Sequence, residues 1–447
     1  MMFYPKVAQD YIKLLQRDPE GYRREFEDVL RRTHEERKLY HDTVIPMTYQ
    51  GMFFEEPQQA LFSRIIERMV AIGRKVTEAF VRDPTYRRGF HFDPVTEKLI
   101  LMDPGYEMPV PVGRYDIFYN GGEEFAFCEL NTDGSSAMNE DRVLGSILLG
   151  TCAFRELQKT WQLQPYELFY SLVKALLARY RQVRGRDART AAIVDFAGLG
   201  TEAEFRVFQQ TFRTLGVPCV VCDPRAMRFE KGKLLGTDTE SGKTLPVDLV
   251  YRRVVTSDFV ERIDECADFL AAYQAHAFVM FGSFRSQIMH SKLIFRMLSD
   301  PQTQALLTEE ENAFIAAHVP LTRELLTEAD RKKIIENKED YILKPYNSYA
   351  SQGIWLGREH DADSWRAIVE ALPLNAYIYQ QYIEVEPTPF IEVRGDDLRL
   401  TKLGHVIGLF LYDEHFAGSY TRVGAQGIIS GAREYYSAPV FLARPRG

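Results

Sequence analysis

RYDIFYNGGEEFAFCELNTDGSSAMNE, residues 114–140, is the stretch that decides the expected fold. Two runs of alternating apolar and polar residues flank Asn-Gly-Gly-Glu-Glu, which is typical of a β-hairpin with a glycine-containing turn. We expect a loop at residues 121–124, so that Asn120 pairs with Phe125. This stretch therefore predicts two antiparallel strands whose register can be counted outward from the loop.

On this register Asp116 lies opposite Glu129, and Arg114 lies opposite Asn131. Side chains alternate between the faces of a strand, so these four share one face. The other face would be apolar and would suit a core: Ile117, Ala126, Cys128 and Leu130. Two opposed carboxylates repel each other, and a divalent cation between them removes the repulsion. Carboxylate and amide oxygens suit Mg²⁺ held by phosphates. The alternative is an exposed hairpin face with charges of mixed sign.

Composition sets the limits of the search for a function. The chain has 447 residues, 45% of them hydrophobic and 26% charged, which is typical of a globular protein of two or three units. A net charge of -8 argues against a dedicated nucleic-acid binder. No run of 18 apolar residues and no apolar signal core are present, so we expect a cytoplasmic protein without a membrane partner. Five cysteines do not make a disulfide framework.

Changes in pattern divide the chain into four expected units. Residues 1–95 form a helical N-terminal region. Residues 96–183 hold the hairpin and its following helices, residues 184–275 form an α/β unit, and residues 276–447 form a last unit of strands and helices. Periodic apolar residues mark a long amphipathic helix in the first unit: Leu61, Ile65, Met69, Ile72, Val76 and Phe80.

The third unit has the order of a Rossmann-like half. A strand is expected at residues 191–196, a helix at 202–215 and a second strand at 217–222. The turn at residues 198–203 loosely fits the G-x-G-x-x-G/A fingerprint, and Asp223 follows the second strand. This favours a rival hypothesis, a nicotinamide-dependent oxidoreductase. The other interpretation is that the glycines only permit a tight strand-to-helix turn.

Several basic residues fall where anions bind. A strand near residue 250 carries Arg252 and Arg253 to its C-terminal end, the ligand-binding edge of open α/β sheets. Lys344 ends a strand before a small-residue loop, which suits a phosphate contact. Arg422 lies in a glycine-rich stretch that we interpret as a loop able to carry an arginine onto a phosphoryl group. Surface arginines and an ordinary loop are the alternatives.

These motifs, in this order, resemble the circularly permuted ATP-grasp ligases, and in particular the synthetase part of glutathionylspermidine synthase. RYD with ELNTDGSSAMNE resembles the metal-binding hairpin of that family. MHSKLIFRML resembles its lysine helix start, and ILKPYNSYASQGI its phosphate loop, although the loop Asn347–Gly353 has a single glycine. YIYQQYIEVEP resembles the hinge at adenine, and IGLFLYDEHFAGSYTRVGAQGIIS the loop with the catalytic arginine.

The resemblance implies an α+β and α/β ATP-grasp fold, circularly permuted, with a Rossmann-like pre-ATP-grasp domain that explains the glycine turn without NAD. It also implies ATP and Mg²⁺ as cofactors and a role for each matched residue: Asp116, Glu129 and Asn131 for the metal; Arg114 and Arg422 for catalysis; Lys292 and Lys344 for the phosphates; Gln380, Gln381, Tyr382 and Ile383 for adenine; Ser136 and Arg253 for the substrate carboxylate.

The function that follows is an ATP-dependent carboxylate–amine ligase that forms an amide through an acyl phosphate. The partners would be a small-molecule or peptide carboxylate and an amine. Such chemistry rests on positioning and charge neutralisation and needs no side-chain nucleophile. The alternatives are an NAD(P)-dependent oxidoreductase and a non-catalytic ATP-binding relative.

Overall fold

The structure is a computed structural model that describes residues 3–35, 45–346, 353–394, 397–429 and 435–446. Residues 347–352, most of the predicted phosphate loop, lie outside the described residues. The helices within the described ranges are α1 (Lys6–Leu15), α2 (Pro19–Glu35), α3 (Glu56–Arg82), α4 (Pro84–Arg87), α5 (Pro94–Leu101), α6 (Met138–Leu149), α7 (Cys152–Leu157), α8 (Tyr170–Arg184), α9 (Glu202–Thr214), α10 (Thr256–Glu261), α11 (Ala267–Gln274), α12 (Gln287–His290), α13 (Ile294–Leu298), α14 (Pro301–Gln304), α15 (Glu309–His318), α16 (Glu328–Glu336) and α17 (Ala362–Ala371).

The strands of the described ranges are β1 (Met52–Phe54), β2 (Val112–Gly121), β3 (Glu124–Asn131), β4 (Trp161–Pro165), β5 (Ala191–Val194), β6 (Cys219–Cys222), β7 (Arg228–Glu230), β8 (Lys233–Thr237), β9 (Thr244–Val247), β10 (Leu249–Arg252), β11 (Val279–Phe281), β12 (Thr322–Glu324), β13 (Tyr341–Pro345), β14 (Trp355–Leu356), β15 (Tyr377–Gln381), β16 (Thr388–Arg394), β17 (Asp397–Tyr412), β18 (His415–Gly424), β19 (Tyr436–Ser437) and β20 (Val440–Pro445). The largest sheet they form has the order β19-β18-β17-β2-β3, with β16 paired to β17.

The described residues also form four smaller sheets. Strands β11-β10-β5-β6 form a parallel sheet in that order. Strands β12-β15-β13-β14 form an antiparallel sheet, and β7-β8-β9 form a three-stranded one. Strand β1 pairs with β20 in parallel, and β4 pairs with β20 on its other side. The strand–helix–strand unit expected after residue 184 is therefore present as β5, α9 and β6, with each boundary within about two residues of the prediction.

Hairpin β2–β3 has the predicted register at the charged positions. Asp116 pairs with Glu129, and Arg114 pairs with Asn131. The predicted loop is wrong, however, because Phe125 pairs with Tyr119 rather than with Asn120. Two irregularities, one after Asp116 and one after Tyr119, shift the register in opposite senses and cancel. The charged pairs therefore face each other although the turn was miscounted.

Both irregularities change the face of the hairpin on which particular side chains lie. At the first, Cys128 is the extra residue, so Phe127 pairs with Ile117 and enters the core; the expectation that Cys128 would be a core residue of this face is wrong. At the second, Asn120 leaves the ladder. Its amide donates to the Glu384 carbonyl (3.3 Å), and its carbonyl accepts from the Glu386 N–H (2.9 Å). A bulge commonly re-aims a side chain in this way.

The N-terminal helices share a core with the large sheet. The predicted apolar stripe of α3 is buried, and its members belong to one cluster with Ile117 and Phe127 of the hairpin and Ile407 of β17. The cluster thus contains residues from three of the four expected units. Their boundaries stay a prediction. No helix among the described residues is long and apolar enough to cross a bilayer.

Candidate functional site

One row of residues crosses the polar face of the large sheet. Tyr420, Gly408, Asp116 and Glu129 are paired in that order across β18, β17, β2 and β3. Arg422 lies two residues beyond Tyr420, on the same face of β18, and reaches back to the row. The expectation that Arg422 would be carried by a loop is wrong: Arg422 lies within strand β18, which pairs with β17 through one irregularity before this residue.

Asp116 is the centre of the row. It is fully buried, and both of its oxygens accept hydrogen bonds from guanidinium groups. Arg114 donates from Nε to Oδ1 (2.6 Å) and from Nη2 to Oδ2 (3.0 Å), while Arg422 Nη2 donates to Oδ2 (2.6 Å). Asn131 Nδ2 lies 3.2 Å from the same oxygen and 2.9 Å from Glu129 Oε1. The repulsion between the opposed carboxylates is therefore relieved by the protein's own cations.

Gly408 makes room for this arrangement. A Cβ at this position would lie 2.5 Å from Arg114 Cδ, 2.7 Å from its Nε and 2.9 Å from Asp116 Oδ1. These distances are far below van der Waals contact, so the Arg114 side chain can cross the sheet only over a glycine. Its guanidinium carbon then lies 5.9 Å from the ring centroids of Phe410 and Tyr420. Sequence inspection did not single out Gly408, because its partner lies nearly 300 residues away.

Glu129 lies in a cationic environment. Burial works against its charged form, but Lys292, Arg422 and Arg114 together hold the pKa of this carboxyl down to about 2. Burial lowers the pKa of Lys292, and Glu129 partly opposes that effect. Lys344 is close enough to lower the pKa of Lys292 further. The cations predicted for catalysis and phosphate binding thus converge on the hairpin.

Lys344 connects the large sheet to the β12-β15-β13-β14 sheet. Its ammonium group donates to the Cys128 carbonyl (3.2 Å) and to Gln380 Oε1 (2.7 Å). Gln380 in turn donates from Nε2 to Thr322 Oγ1 (2.9 Å). Since Gln380 is buried and both ends of its amide are engaged, its side chain orients Lys344. It was expected to be a group that meets adenine.

The predicted adenine-binding segment, residues 380–383, begins in the last two residues of β15. The N–H of Gln381 donates to the Leu321 carbonyl (2.9 Å), and the N–H of Tyr382 donates to the Asp340 carbonyl (2.7 Å). The ring of Tyr382 is covered by the Arg358 guanidinium at 4.3 Å. Ile383 is half-buried and lies outside the strand. The contact of residues 380–383 with adenine stays a prediction.

The predicted substrate residues lie on the other side of Arg114. The Ser136 carbonyl accepts from Arg114 Nη1 (2.8 Å). Arg253 is buried and pairs with Glu204 (3.0 Å), which also accepts from two N–H groups at the start of α6. Arg253 thus holds α6 and α9 against the parallel sheet. Its Nε has no partner among the described residues, and its role toward a substrate stays a prediction.

Two site residues were missed by the sequence analysis. Glu140, in the first turn of α6, is buried and accepts a hydrogen bond from the Tyr420 hydroxyl (3.0 Å). His290 precedes Lys292 and interacts electrostatically with Glu129 and Asp133, while burial lowers its pKa. Both lie inside motifs quoted for the resemblance. The signal that could have found them was an ionisable residue inside a motif that already carried predicted site residues.

A magnesium ion would find only part of its coordination shell in the protein. Within the described ranges no three His, Cys, Asp or Glu side chains are grouped to hold a metal. Asp116 would have to exchange a guanidinium group for the ion, whereas Glu129 is ionised and faces the same space. Mg²⁺ commonly takes one or two carboxylates and completes its shell with phosphate oxygens and water. The residues fit an ion of that kind.

The turn that suggested NAD has internal partners. Asp223 accepts from Arg225 Nε (2.9 Å) and Nη2 (2.7 Å) and from the N–H of Ala197 (3.0 Å). At Gly200 a Cβ would lie 2.3 Å from Asp195 Oδ2 and 2.5 Å from Phe205 Cζ. This glycine therefore permits the close approach of helix and strand. The observation favours the structural interpretation of the turn.

Comparison with known proteins gives a fold and no sequence family. The sequence matches no protein-family model and no curated protein. A glutathione synthetase-like effector from Globodera pallida, solved in its apo form, is similar over 90% of this chain and 91% of that chain, with a TM-score of 0.54 and 11% identity.

Two further solved structures superpose much less well. D-alanyl-alanine synthetase A from Vibrio cholerae matches 56% of this chain and 87% of that chain, with a TM-score of 0.27 and 11% identity. The ATP-grasp ligase PsnB, complexed with minimal precursor, Mg and ADP, matches 55% and 87%, with a TM-score of 0.20 and 15% identity. The assignment rests on the first comparison: this chain has a mixed α/β fold similar to that of the glutathione synthetase-like effector.

Proposed function

We propose that the chain is an ATP-dependent ligase that joins a carboxylate to an amine through an acyl phosphate. The observation that carries the proposal is the excess of buried cations between two sheets. Arg114, Arg422, Lys292 and Lys344 converge where the described carboxylates of the row are Asp116 and Glu129. With the buried Glu140 behind the arginines counted as a third anion, four cations against three anions leave an excess of about one positive charge. Such a site attracts polyphosphate.

The geometry supports different roles for the lysine, the two arginines and the carboxylate of the site. Lys344, oriented by Gln380, would hold nucleotide phosphates from the side of the smaller sheet. Arg114 and Arg422 would stabilise negative charge as the terminal phosphoryl group moves to the acid. A bound Mg²⁺ would neutralise phosphate charge, with Glu129 as its first protein ligand. We also propose that the chain is a circularly permuted ATP-grasp protein in which the parallel sheet belongs to a pre-ATP-grasp domain.

The reaction would need no covalent enzyme intermediate. The acid attacks the terminal phosphorus of ATP and forms an acyl phosphate with release of ADP. The amine nitrogen would then attack the acyl carbon, and the phosphate would leave with the electron pair of the broken C–O bond. The nitrogen would release one proton to the departing phosphate or to solvent. A peptide or small-molecule acid, including substrates of the glutathionylspermidine synthase type, would bind near Ser136, just before the first residue of α6.

A second candidate is a non-catalytic relative that binds nucleotide. It is favoured by one specific observation: both oxygens of Asp116 are engaged by guanidinium groups, which leaves this carboxylate unavailable to a metal in the present conformation. A protein locked in this state would bind ATP and release no ADP.

ADP release separates the two candidates. The chain would be incubated with ATP, Mg²⁺ and pools of acids and amines, with Glu129→Gln as the inactive comparison and Glu123→Gln, at an exposed position of the hairpin turn, as the matched control. The ligase proposal expects ADP release that depends on an acid and is lost only in Glu129→Gln. ATP binding without ADP release from any pool would support the non-catalytic relative.

A further inference from the structure

Glu140 stands at the end of the site opposite to Glu129. Its side chain is buried, and the Tyr420 hydroxyl donates to its Oε2 at 3.0 Å. The ring of Tyr420 lies 5.9 Å from the Arg114 guanidinium, which holds Asp116. A continuous set of contacts therefore links this carboxyl group to the two arginines that would meet a phosphate.

Opposing interactions set the protonation of Glu140. Burial raises the pKa of Glu140 to about 7; Glu204 of α9 acts in the same direction. The Tyr420 hydrogen bond, Arg114 and Arg422 act in the opposite direction. Asp141, the next residue of α6, is also buried and interacts unfavourably with Glu140 when both are ionised. A small change in the charge of the arginine pair is therefore enough to alter the protonation of this group.

We propose that Glu140 is the proton-accepting residue of the site, which takes up a proton when the phosphates of a nucleotide bind to Arg114 and Arg422. This inference rests on the proposed function. The incoming phosphates pair with the arginines. The positive charge of the arginines then stabilises the ionised form of Glu140 less. A proton from solvent then forms an O–H bond on the carboxyl group, and no bond of the nucleotide breaks. The uptake removes one buried negative charge from behind the arginines.

The test is calorimetric titration of the full chain with ATP and Mg²⁺ in two buffers of different ionisation enthalpy. The difference between the apparent enthalpies gives the number of protons taken up per nucleotide. At pH 7.5 a group with a pKa of about 7 is about one-quarter protonated, so a rise of one unit or more predicts uptake of about half a proton. ATP affinity should fall as pH rises from 7 to 8.5, because uptake and affinity are linked.

Two variants assign the proton. Glu140→Gln keeps the shape and can still accept from Tyr420, so it should bind ATP with no uptake. Asp141→Asn is the matched control, since Asp141 is equally buried but accepts from the Val440 N–H at 3.0 Å instead of from Tyr420. Burial raises the pKa of Asp141 to about 8, so this carboxyl group is mostly protonated at pH 7.5 and its replacement removes little charge from beside Glu140. The variant should therefore keep most of the wild-type uptake.

The outcomes are distinct. ATP binding to the wild-type chain without proton uptake overturns this inference and leaves the proposed function standing. Uptake that persists in Glu140→Gln, or that is lost in Asp141→Asn, places the proton elsewhere and also overturns it. If Glu140→Gln fails to fold, the pH dependence of wild-type affinity decides, and a flat profile refutes the inference. Absence of any ATP binding refutes the proposed function as well.

Discussion

Replacing Gly408 by alanine tests whether the path of Arg114 across the sheet shapes the site. The new methyl carbon would lie 2.5 Å from Arg114 Cδ and 2.9 Å from Asp116 Oδ1. Either the arginine leaves Asp116 or the strands separate locally. Overpacking of this kind costs about 1–3 kcal/mol of unfolding free energy. Displacing Arg114 also loses a charge-assisted contact to a phosphate, worth about 1.5–3 kcal/mol, or roughly tenfold to a hundredfold in ATP affinity.

Strand β17 supplies a matched control for this substitution. A Cβ at Gly404 would lie 3.4 Å from Ile429 Cδ1, an ordinary contact. Gly404→Ala should therefore leave stability within about 0.5 kcal/mol of the parent or raise it slightly. Urea unfolding and ATP titration of both variants give the two readouts. The reasoning about Gly408 is refuted if Gly408→Ala matches Gly404→Ala in unfolding free energy and in ATP affinity.

Three further results are expected. Gln380→Leu removes the bonds that orient Lys344 and should weaken ATP binding about tenfold in titration calorimetry; unchanged affinity would contradict that role. Arg422→Ala removes one of the three hydrogen bonds to Asp116 Oδ2, leaving those from Arg114 and Asn131, and should strengthen Mg²⁺ binding without nucleotide; equal or weaker binding would argue against an arginine that competes with the metal. The pKa of Glu140 is raised from 4.5 to about 7, so the stability it contributes is present below about pH 4.5 and lost as pH rises through 7. Urea unfolding at pH 5 and pH 8 should show a loss of about 2.5 kcal/mol from this group that is absent in Glu140→Gln; an identical pH dependence in the variant would contradict the assignment.

The register of the hairpin was predictable because opposed charges are costly. Arg114, Asp116, Glu129 and Asn131 lie as counted, although the turn between them does not. The two bulges shift the register in opposite senses, so the spacing of the polar residues in the sequence does not reveal them. At the second bulge Asn120 reaches across to the segment after β15, a contact between distant parts of the chain.

The rest of the site depended on tertiary contacts. A metal was inferred to relieve the carboxylate pair, but the arginines that relieve it come from β2 and from β18, some 300 residues later. Glycine-rich composition favoured a loop around Arg422, whereas pairing on both sides holds it in a strand. Gln380 was assigned to the adenine-binding segment because it lies within the matching stretch of sequence. Only its burial and its hydrogen bond from Lys344 show that its side chain orients that lysine.

Nucleotide binding between the two sheets is tested most directly by thermal melting of the full chain with ATP and Mg²⁺, with ATP alone and with NAD(H). A specific ligand at about 100 times its dissociation constant stabilises by about 2.7 kcal/mol, which is measurable as a rise in melting temperature. The site predicts a rise with ATP and Mg²⁺ that is lost in Lys344→Met. A rise with NAD(H) and none with ATP would contradict nucleotide binding between the two sheets. It would favour the alternative, a nicotinamide-dependent oxidoreductase that binds its cofactor at the glycine turn at Gly198.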